Sequence, residues 1–237
     1  MQVFTYAERP DLAARTSQAE DTLAEFMHHA QITDLYWPKL REELPELQLV
    51  LYDDERDLVV GRGQTIPASA GDGLPAGVDD LLERYFGGGP REQPDVLSAL
   101  VAIVDRRRQG EGLSALLIEG MRRVAAAAGL ASLIAPVRPT QAGVPTDPVR
   151  ALRPLDSGRR PALGPVDPAP RPARAELLDI CPASMRIEGT VADWEGWTGL
   201  AFAADGDYVV PGALVPVRFT GGTGVYLEPN IWMRHAV

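Results

Sequence analysis

Apolar residues recur along the chain in two spacings, and each spacing predicts a kind of element. The continuous apolar run LSALVAIV at 97–104 predicts a strand buried on both faces. The run LASLIAPV at 130–137 predicts a second buried strand. Between them lies one helical stripe, formed by Leu113, Leu116, Leu117, Met121, Val124 and Ala128. Segment 97–137 is therefore predicted to be a strand–helix–strand unit.

The N-terminal part predicts helices and a hairpin. Ser17 and Glu20 form a capping-box pattern, which predicts a helix through the apolar residues that follow. A second short helix is predicted at 37–44. Segments 47–53 and 57–66 predict a β-hairpin with a charged turn. The later stretch GVDDLLERYFGGGP predicts a helix that its glycines end.

A proline-rich segment then interrupts the pattern. Residues 141–173 hold eight prolines and no aromatic residue, which excludes a regular helix or interior strand and predicts an irregular segment. The C-terminal part returns to β-branched and aromatic runs and predicts several strands, with Trp194 and Trp197 spaced to share one helical face and pack in the core or in a lid. We expect a core at 1–140, an irregular segment at 141–174 and a β-rich part at 175–237 that completes the same domain.

Composition limits the function classes. The net charge of -10 argues against nucleic acid or an anionic membrane as the main partner. No apolar run is long enough to span a bilayer, and the N-terminus has no signal-peptide pattern. The single cysteine, Cys181, excludes an internal disulfide, and the adjacent His28 and His29 point about 100° apart on a helix, so we predict no metal site. We expect a cytoplasmic protein.

The stretch VDRRRQGEGLS at 104–114 carries the candidate chemistry. A glycine-rich turn between a buried strand and a helix places backbone N–H groups, and the positive end of the helix dipole, where a phosphate can bind. The pattern is neither a Walker A loop nor a Rossmann fingerprint. The alternative is an ordinary helix start behind a solvated run of arginines.

This stretch resembles the acetyl-CoA-binding motif of the GCN5-related N-acetyltransferases, the GNAT superfamily. The motif fits at Gln109, Gly112 and Ser114, where Ser114 departs from the usual Gly or Ala, and a second register fits at Arg107, Gly110 and Gly112. The segments EGTVADWEGWTG and GVYLEPNIWMRH further resemble a group of actinobacterial GNAT-like proteins. The resemblance implies an α/β fold with a mixed central β-sheet flanked by helices, and a β-rich C-terminal part.

The resemblance also implies a reaction and its residues. It implies transfer of an acetyl group from acetyl-CoA to a small-molecule amine acceptor; a homodimer is left open. The strand would line the pantetheine arm with Ala102, Ile103 and Val104, and the loop would hold the pyrophosphate with Gln109, Gly110, Glu111, Gly112, Leu113 and Ser114. A carboxylate or a water should take the ammonium proton and a tyrosine should protonate the thiolate. The candidates, chosen because they lie beside C-terminal strands, are Glu228, Tyr208 and Tyr226.

One segment departs from the resemblance. Relatives of that group carry an aromatic-rich stretch where this chain has its Pro/Arg/Ala run. Read one base out of frame, codons permitted for residues 144–155 can encode YPLTPYERYVRW, which is the kind of sequence the group carries there. We hypothesise that roughly 141–174 is an out-of-frame stretch. The alternative to an enzyme is therefore a non-catalytic GNAT-like module that binds CoA, or a product that the altered segment has inactivated.

Overall fold

The computed structural model describes residues 1–21, 23–71, 73–89, 93–139 and 175–237. Within these ranges nine strands form one sheet: β1 (Gln2–Thr5), β2 (Leu49–Asp53), β3 (Leu58–Ala68), β4 (Val96–Val104), β5 (Ser132–Val137), β6 (Glu176–Thr190), β7 (Gly206–Tyr208), β8 (Val217–Thr220) and β9 (Thr223–Ala236). The helices in the same ranges are α1 (Pro10–Ala13), α2 (Gln31–Glu43), α3 (Val78–Phe86), α4 (Leu113–Ala127) and α5 (Val191–Thr198). None of the helices described is long and apolar enough to cross a bilayer.

The strand order places the N-terminal and C-terminal parts in one sheet. The order is β1-β2-β3-β4-β5-β9-β8-β7, and β6 pairs with the other edge of β9. Strands β4 and β5 are parallel and are joined through α4, while the other neighbouring strands are antiparallel. The predicted strand–helix–strand unit at 97–137 is thus confirmed, with β5 beginning at Ser132.

Strand β3 lies near the centre of the sheet, and its alternate residues point to opposite faces. Gly61 and Gly63 point toward α4, and a Cβ at Gly63 would come within 2.5 Å of Met121 Cε, so the helix can approach this strand only because both positions lack a side chain. Arg62 and Gln64 alternate with these glycines and point to the opposite face. That face carries the cleft described below.

Two of the four apolar clusters in the described chain contain most of its buried core residues. The larger one lies between the central strands and α2, α3 and α4. The smaller one lies under α5 and the C-terminal strands and is built around Trp194, which is fully buried and donates a hydrogen bond from Nε1 to Gly224 O at 3.0 Å. The prediction that Trp194 packs in the core is confirmed. Trp197 is half-buried and stacks on His29 with ring centroids 4.5 Å apart.

The predicted hairpin and the helices at α3 and α4 are also confirmed, while the helix predicted from Ser17 is wrong. The chain there forms two short 3-10 turns, Thr16–Gln18 and Glu25–His29. Tertiary partners use the polar groups of this segment, because Gln18 Oε1 accepts from the Val59 N–H at 3.1 Å. The second N-terminal helix is confirmed, but α2 begins six residues before the predicted start. Strand β1 was not predicted, and the proposed out-of-frame segment, 141–174, lies outside the described residues.

Candidate active site

The central feature of the site is a wedge between β4 and β5. These strands pair in register only at Leu97 with Leu133 and at Ser98 with Ile134. Beyond these pairs β4 follows β3, while β5 follows β9 as far as Val137. The register of β3 and β4 also shifts at Leu100, which is the extra residue of a β-bulge. Backbone groups on one edge of β4 are therefore left without a strand partner in the described chain.

The loop that follows β4 ends at the N-terminus of α4. Asp105 accepts a hydrogen bond from the Arg107 N–H at 2.9 Å and so shapes a short 3-10 turn. Gly110 and Gly112 have φ angles of 84° and 73°, a region that favours glycine. A Cβ at either position would meet no atom within 4 Å, so this side of the loop is open. The first N–H groups of α4 have no acceptor inside the helix and add to its positive dipole end.

The three arginines before the loop are paired within the protein. Arg107 binds Asp105, and Arg108 binds Glu111 through two contacts of 2.7 Å and Asp53 at 3.0 Å. Hydrogen bonds from Arg108 and then Arg56 hold the pKa of Asp53 down to about 2. Arg108 thus anchors the loop to the β2–β3 hairpin, and it is neither part of a solvated run nor a free phosphate clamp.

A cleft of about 1180 Å³ joins the wedge and the loop. Nearly all the residues that the resemblance assigned to acetyl-CoA line it, namely Ala102, Ile103, Val104, Gln109, Gly110, Gly112, Leu113 and Ser114. Glu111 is exposed, is not among the lining residues and pairs with Arg108. The cleft continues past the wedge to α2 and to β9.

The far wall of the cleft is formed by β9, at a point where one of its edges has no strand partner among the described residues. β5 pairs with residues 231–236 and β8 with residues 223–225, so residues 226–230 lie between these two partners. Glu228 and Asn230 line the cleft from this segment. Arg138, just after β5, bridges the gap by donating to Gly212 O and, at 2.6 Å, to Glu228 Oε1.

Glu228 and Tyr226, both predicted as catalytic candidates, lie together. The Tyr226 hydroxyl donates to Glu228 Oε2 and accepts from the Leu214 N–H at 2.9 Å. Burial raises the pKa of Glu228, which is 2% exposed, while Arg138 and Tyr226 oppose the rise. Burial, and then the charge of Glu228, raises the pKa of Tyr226 well above its ordinary value. Tyr226 is fully buried and does not line the cleft, so it acts on the site through Glu228.

The third candidate, Tyr208, lies elsewhere. It is on β7, its ring meets Phe202 and Phe219, and its hydroxyl donates to Ala204 O at 2.8 Å. It is not among the residues that line the cleft. No cluster of three or more His, Cys, Asp or Glu side chains suited to a metal ion occurs in the ranges that the structure describes.

Sequence reasoning missed several polar residues of the cleft, including Gln64, Arg138 and Asn230. For Gln64 a signal was present. Arg62 and Gln64 alternate in a strand whose other residues are small or apolar, so they mark polar side chains on one face of a central strand. No comparable signal points to Arg138 or Asn230, because their roles depend on how β5, β8 and β9 meet.

Comparison with known proteins agrees with this geometry. The loading GNATL domain of CurA from Lyngbya majuscula aligns with 99% of this chain and 96% of its own, at a TM-score of 0.50 and 12% identity. The GNAT-like decarboxylase GphF, in complex with isobutyryl-CoA, aligns with 100% and 99%, at a TM-score of 0.51 and 13% identity. The chain has the GNAT fold. The fold class inferred from the sequence is therefore confirmed.

One curated relative is named for an enzymatic activity. Arginine N-acetyltransferase avaD of Aspergillus versicolor is 27% identical to this chain, over 98% of this chain and 93% of that protein. No established family profile matches the chain. The similarity to avaD over nearly the full length supports an N-acetyltransferase on the GNAT fold.

Proposed function

We propose that this protein transfers an acetyl group from acetyl-CoA to the nitrogen of a small-molecule amine. The observation that carries the proposal is one continuous cleft that joins the α4 loop, the β4–β5 wedge and Glu228. The relative named as an arginine N-acetyltransferase supports this chemistry, and the isobutyryl-CoA complex of a protein with the same fold supports an acyl-CoA donor. Arginine is accordingly the first acceptor to test.

The donor side of the cleft fits a long, phosphorylated thioester. The loop around Gly110 and Gly112 is open where a Cβ would stand and leads into the N-terminus of α4, a combination that suits the pyrophosphate. The unpaired edge of β4, including Ala102–Val104, offers backbone groups to the amides of the pantetheine arm. Acetyl-CoA supplies the acetyl group in an activated form. An N–H of this strand is available to stabilise negative charge on the thioester oxygen.

The acceptor side requires a group that removes a proton from the amine. We assign this role to Glu228, because it lines the cleft as a buried carboxylate with a raised pKa. Arg138 and Tyr226 hold its two oxygens and act as positioning residues. Tyr208 takes no part in this assignment, because its hydroxyl is bonded outside the cleft.

Two measurements test the proposal. Acetyl-CoA at 100 times its Kd should stabilise the native state by about 2.7 kcal/mol, since it binds only that state. For a chain of this size the melting temperature should rise by about 5–10 °C. Thiol release should then be followed with acetyl-CoA and L-arginine, L-lysine, agmatine or spermidine. We expect release with at least one amine and none with Glu228→Gln above a background of roughly one hundredth of that rate.

The outcomes separate the candidate functions. A melting shift without thiol release for any amine supports the non-catalytic module that binds CoA and contradicts the proposed reaction. No melting shift would overturn the donor assignment. If Glu228→Gln releases thiol at the wild-type rate, the role of Glu228 is overturned, while the proposed acetyl transfer stands.

A further inference from the structure

Gln64 is a buried polar residue in the wall of the cleft. It is on β3 opposite Val101 of β4, immediately beside the bulge at Leu100. Only 5% of Gln64 is exposed, yet the residue lines the cleft. The alternation of β3 points it away from α4, toward the side of the sheet where Tyr6 and α2 lie.

Only one of the two polar atoms of the Gln64 amide has a hydrogen-bond partner in the described chain. Its Nε2 donates to the Tyr6 hydroxyl at 2.9 Å, while Oε1 is buried and has no hydrogen-bond partner in the described chain. Gln48, on the neighbouring strand, shows the contrast. Its Nε2 donates to Leu44 O and Thr65 O, each at 3.0 Å, and its Oε1 accepts from the Thr65 N–H at 3.1 Å. Gln48 is thus a fully paired structural amide, whereas Gln64 keeps one acceptor for a group that the protein does not supply.

The charges around Gln64 decide what kind of donor suits its free oxygen. Gln64 binds the Tyr6 hydroxyl, and the positive charges that act on this hydroxyl are Arg41 of α2 and Arg62, which lies on the same face of β3 as Gln64. Asp21 binds Arg62 at 2.9 Å, and Glu228 lies on the opposite wall. Two guanidinium groups beside the hydrogen-bonded pair of Tyr6 and Gln64 disfavour a further positive charge at the neutral oxygen. An uncharged N–H group is the donor that this environment accepts.

We propose that Gln64 is a specificity-determining residue that accepts a hydrogen bond from the acceptor amine in its uncharged form. This inference rests on the proposed acetyl transfer. A neutral amide oxygen holds an N–H and leaves the nitrogen lone pair free, whereas a carboxylate at the same place would favour the ammonium ion, which has no lone pair to attack the thioester. Glu228 then takes the proton from the amine, and Gln64 accepts a hydrogen bond from the nitrogen that has lost it.

Two substitutions at one position test the inference with an amine for which the wild type releases thiol. Gln64→Leu removes the acceptor, so the KM for the amine should rise about 10-fold, since a hydrogen bond of about 1.4 kcal/mol corresponds to that factor. Its melting shift with acetyl-CoA should be that of the wild type. Without ligand it should melt near the wild-type temperature, because the unpaired buried oxygen is removed together with the hydrogen bond to the Tyr6 hydroxyl. Gln2→Leu, at an exposed position of β1, is the matched control. It should leave the KM for the amine and the melting shift with acetyl-CoA unchanged.

Gln64→Glu gives a readout that a structural role would not produce. The new carboxylate should stabilise the ammonium form of the bound amine, so the acid limb of the kcat profile, which reports groups in the enzyme–substrate complex, should move up by about one pH unit. An unchanged amine KM in Gln64→Leu, or a wild-type pH profile in Gln64→Glu, overturns the inference. Loss of the acetyl-CoA shift in Gln64→Leu also overturns it, because the defect would then be structural. No turnover by the wild type refutes the proposed function itself, and the inference falls with it.

Discussion

A matched pair of glycine substitutions at the two ends of α4 tests the proposed phosphate cradle. Gly112 precedes the helix with a φ of 73°, and Gly129 follows it with a φ of 71°. A Cβ at either glycine would meet no atom within 4 Å. Alanine at either position therefore causes no clash and introduces the same backbone strain, which costs about 1–2 kcal/mol. For a chain of this size, both variants should melt about 2–8 °C lower than the wild type.

Only one of the two variants should affect the donor. A methyl group on Gly112 would project from the open side of the loop, where the pyrophosphate is proposed to bind. We expect the Kd for acetyl-CoA to rise at least about 10-fold. At a concentration that is 100 times the wild-type Kd, the stabilisation would then fall from about 2.7 to about 1.4 kcal/mol, which halves the melting shift.

Differential scanning fluorimetry with and without acetyl-CoA measures both effects. Gly129→Ala should lose intrinsic stability and keep the full ligand shift. The cradle assignment is refuted by a full shift in Gly112→Ala. Equal loss of the shift in both variants would also refute it, because the effect would then come from weakening the helix rather than from the loop.

Three further predictions follow from buried groups. Glu228→Gln should remove the acid limb of the kcat/KM profile, because that limb should report the Glu228 carboxylate of the free enzyme, whose pKa lies above its ordinary value. Burial raises the pKa of Asp79 to about 6, so the folded state holds that proton more tightly than the unfolded chain and loses stability as pH rises from about 4 to about 6. Asp79→Asn should therefore be about 1–2 kcal/mol more stable than the wild type at pH 8, by urea unfolding, and equal to it below pH 4. Trp194→Ala should cost about 3–5 kcal/mol in the same assay, because the indole is fully buried; a cost below about 1 kcal/mol would contradict that packing.

The central unit of the fold followed from the sequence because its signals are local. The apolar run of β4, the glycines of the loop and the stripe of α4 each constrain a short segment, and their order leaves one arrangement, a strand, a turn and a helix. The N-terminal capping pattern misled for the same reason. It describes a local preference at Ser17, whereas the observed chain uses its polar groups for tertiary contacts with β3 and with the loop after β4.

The sequence therefore indicated the residues that line the wedge and the loop, whereas of the polar residues on the far wall it indicated only Glu228. Glu228 was chosen because it lies beside a C-terminal strand, and the structure adds the reason for its properties, which is the gap between β5 and β8 that Arg138 bridges. Tyr226 and Tyr208 looked equivalent in the sequence. Sheet order separates them, placing one against Glu228 and the other under α5.

What the sequence by itself determined is the turn between β4 and α4: Gly110, Gly112 and the helix that follows are contiguous, and the conformation of a glycine turn at a helix start needs no distant partner. Only the tertiary structure decided which polar side chains meet across the cleft. Gln64 and Glu228 are 164 residues apart in the chain, and they reach the same cleft because the β4–β5 wedge holds β3 and β9 on its two sides. Periodicity reports the face on which a side chain lies, but pairing between strands distant in the chain decides its neighbours.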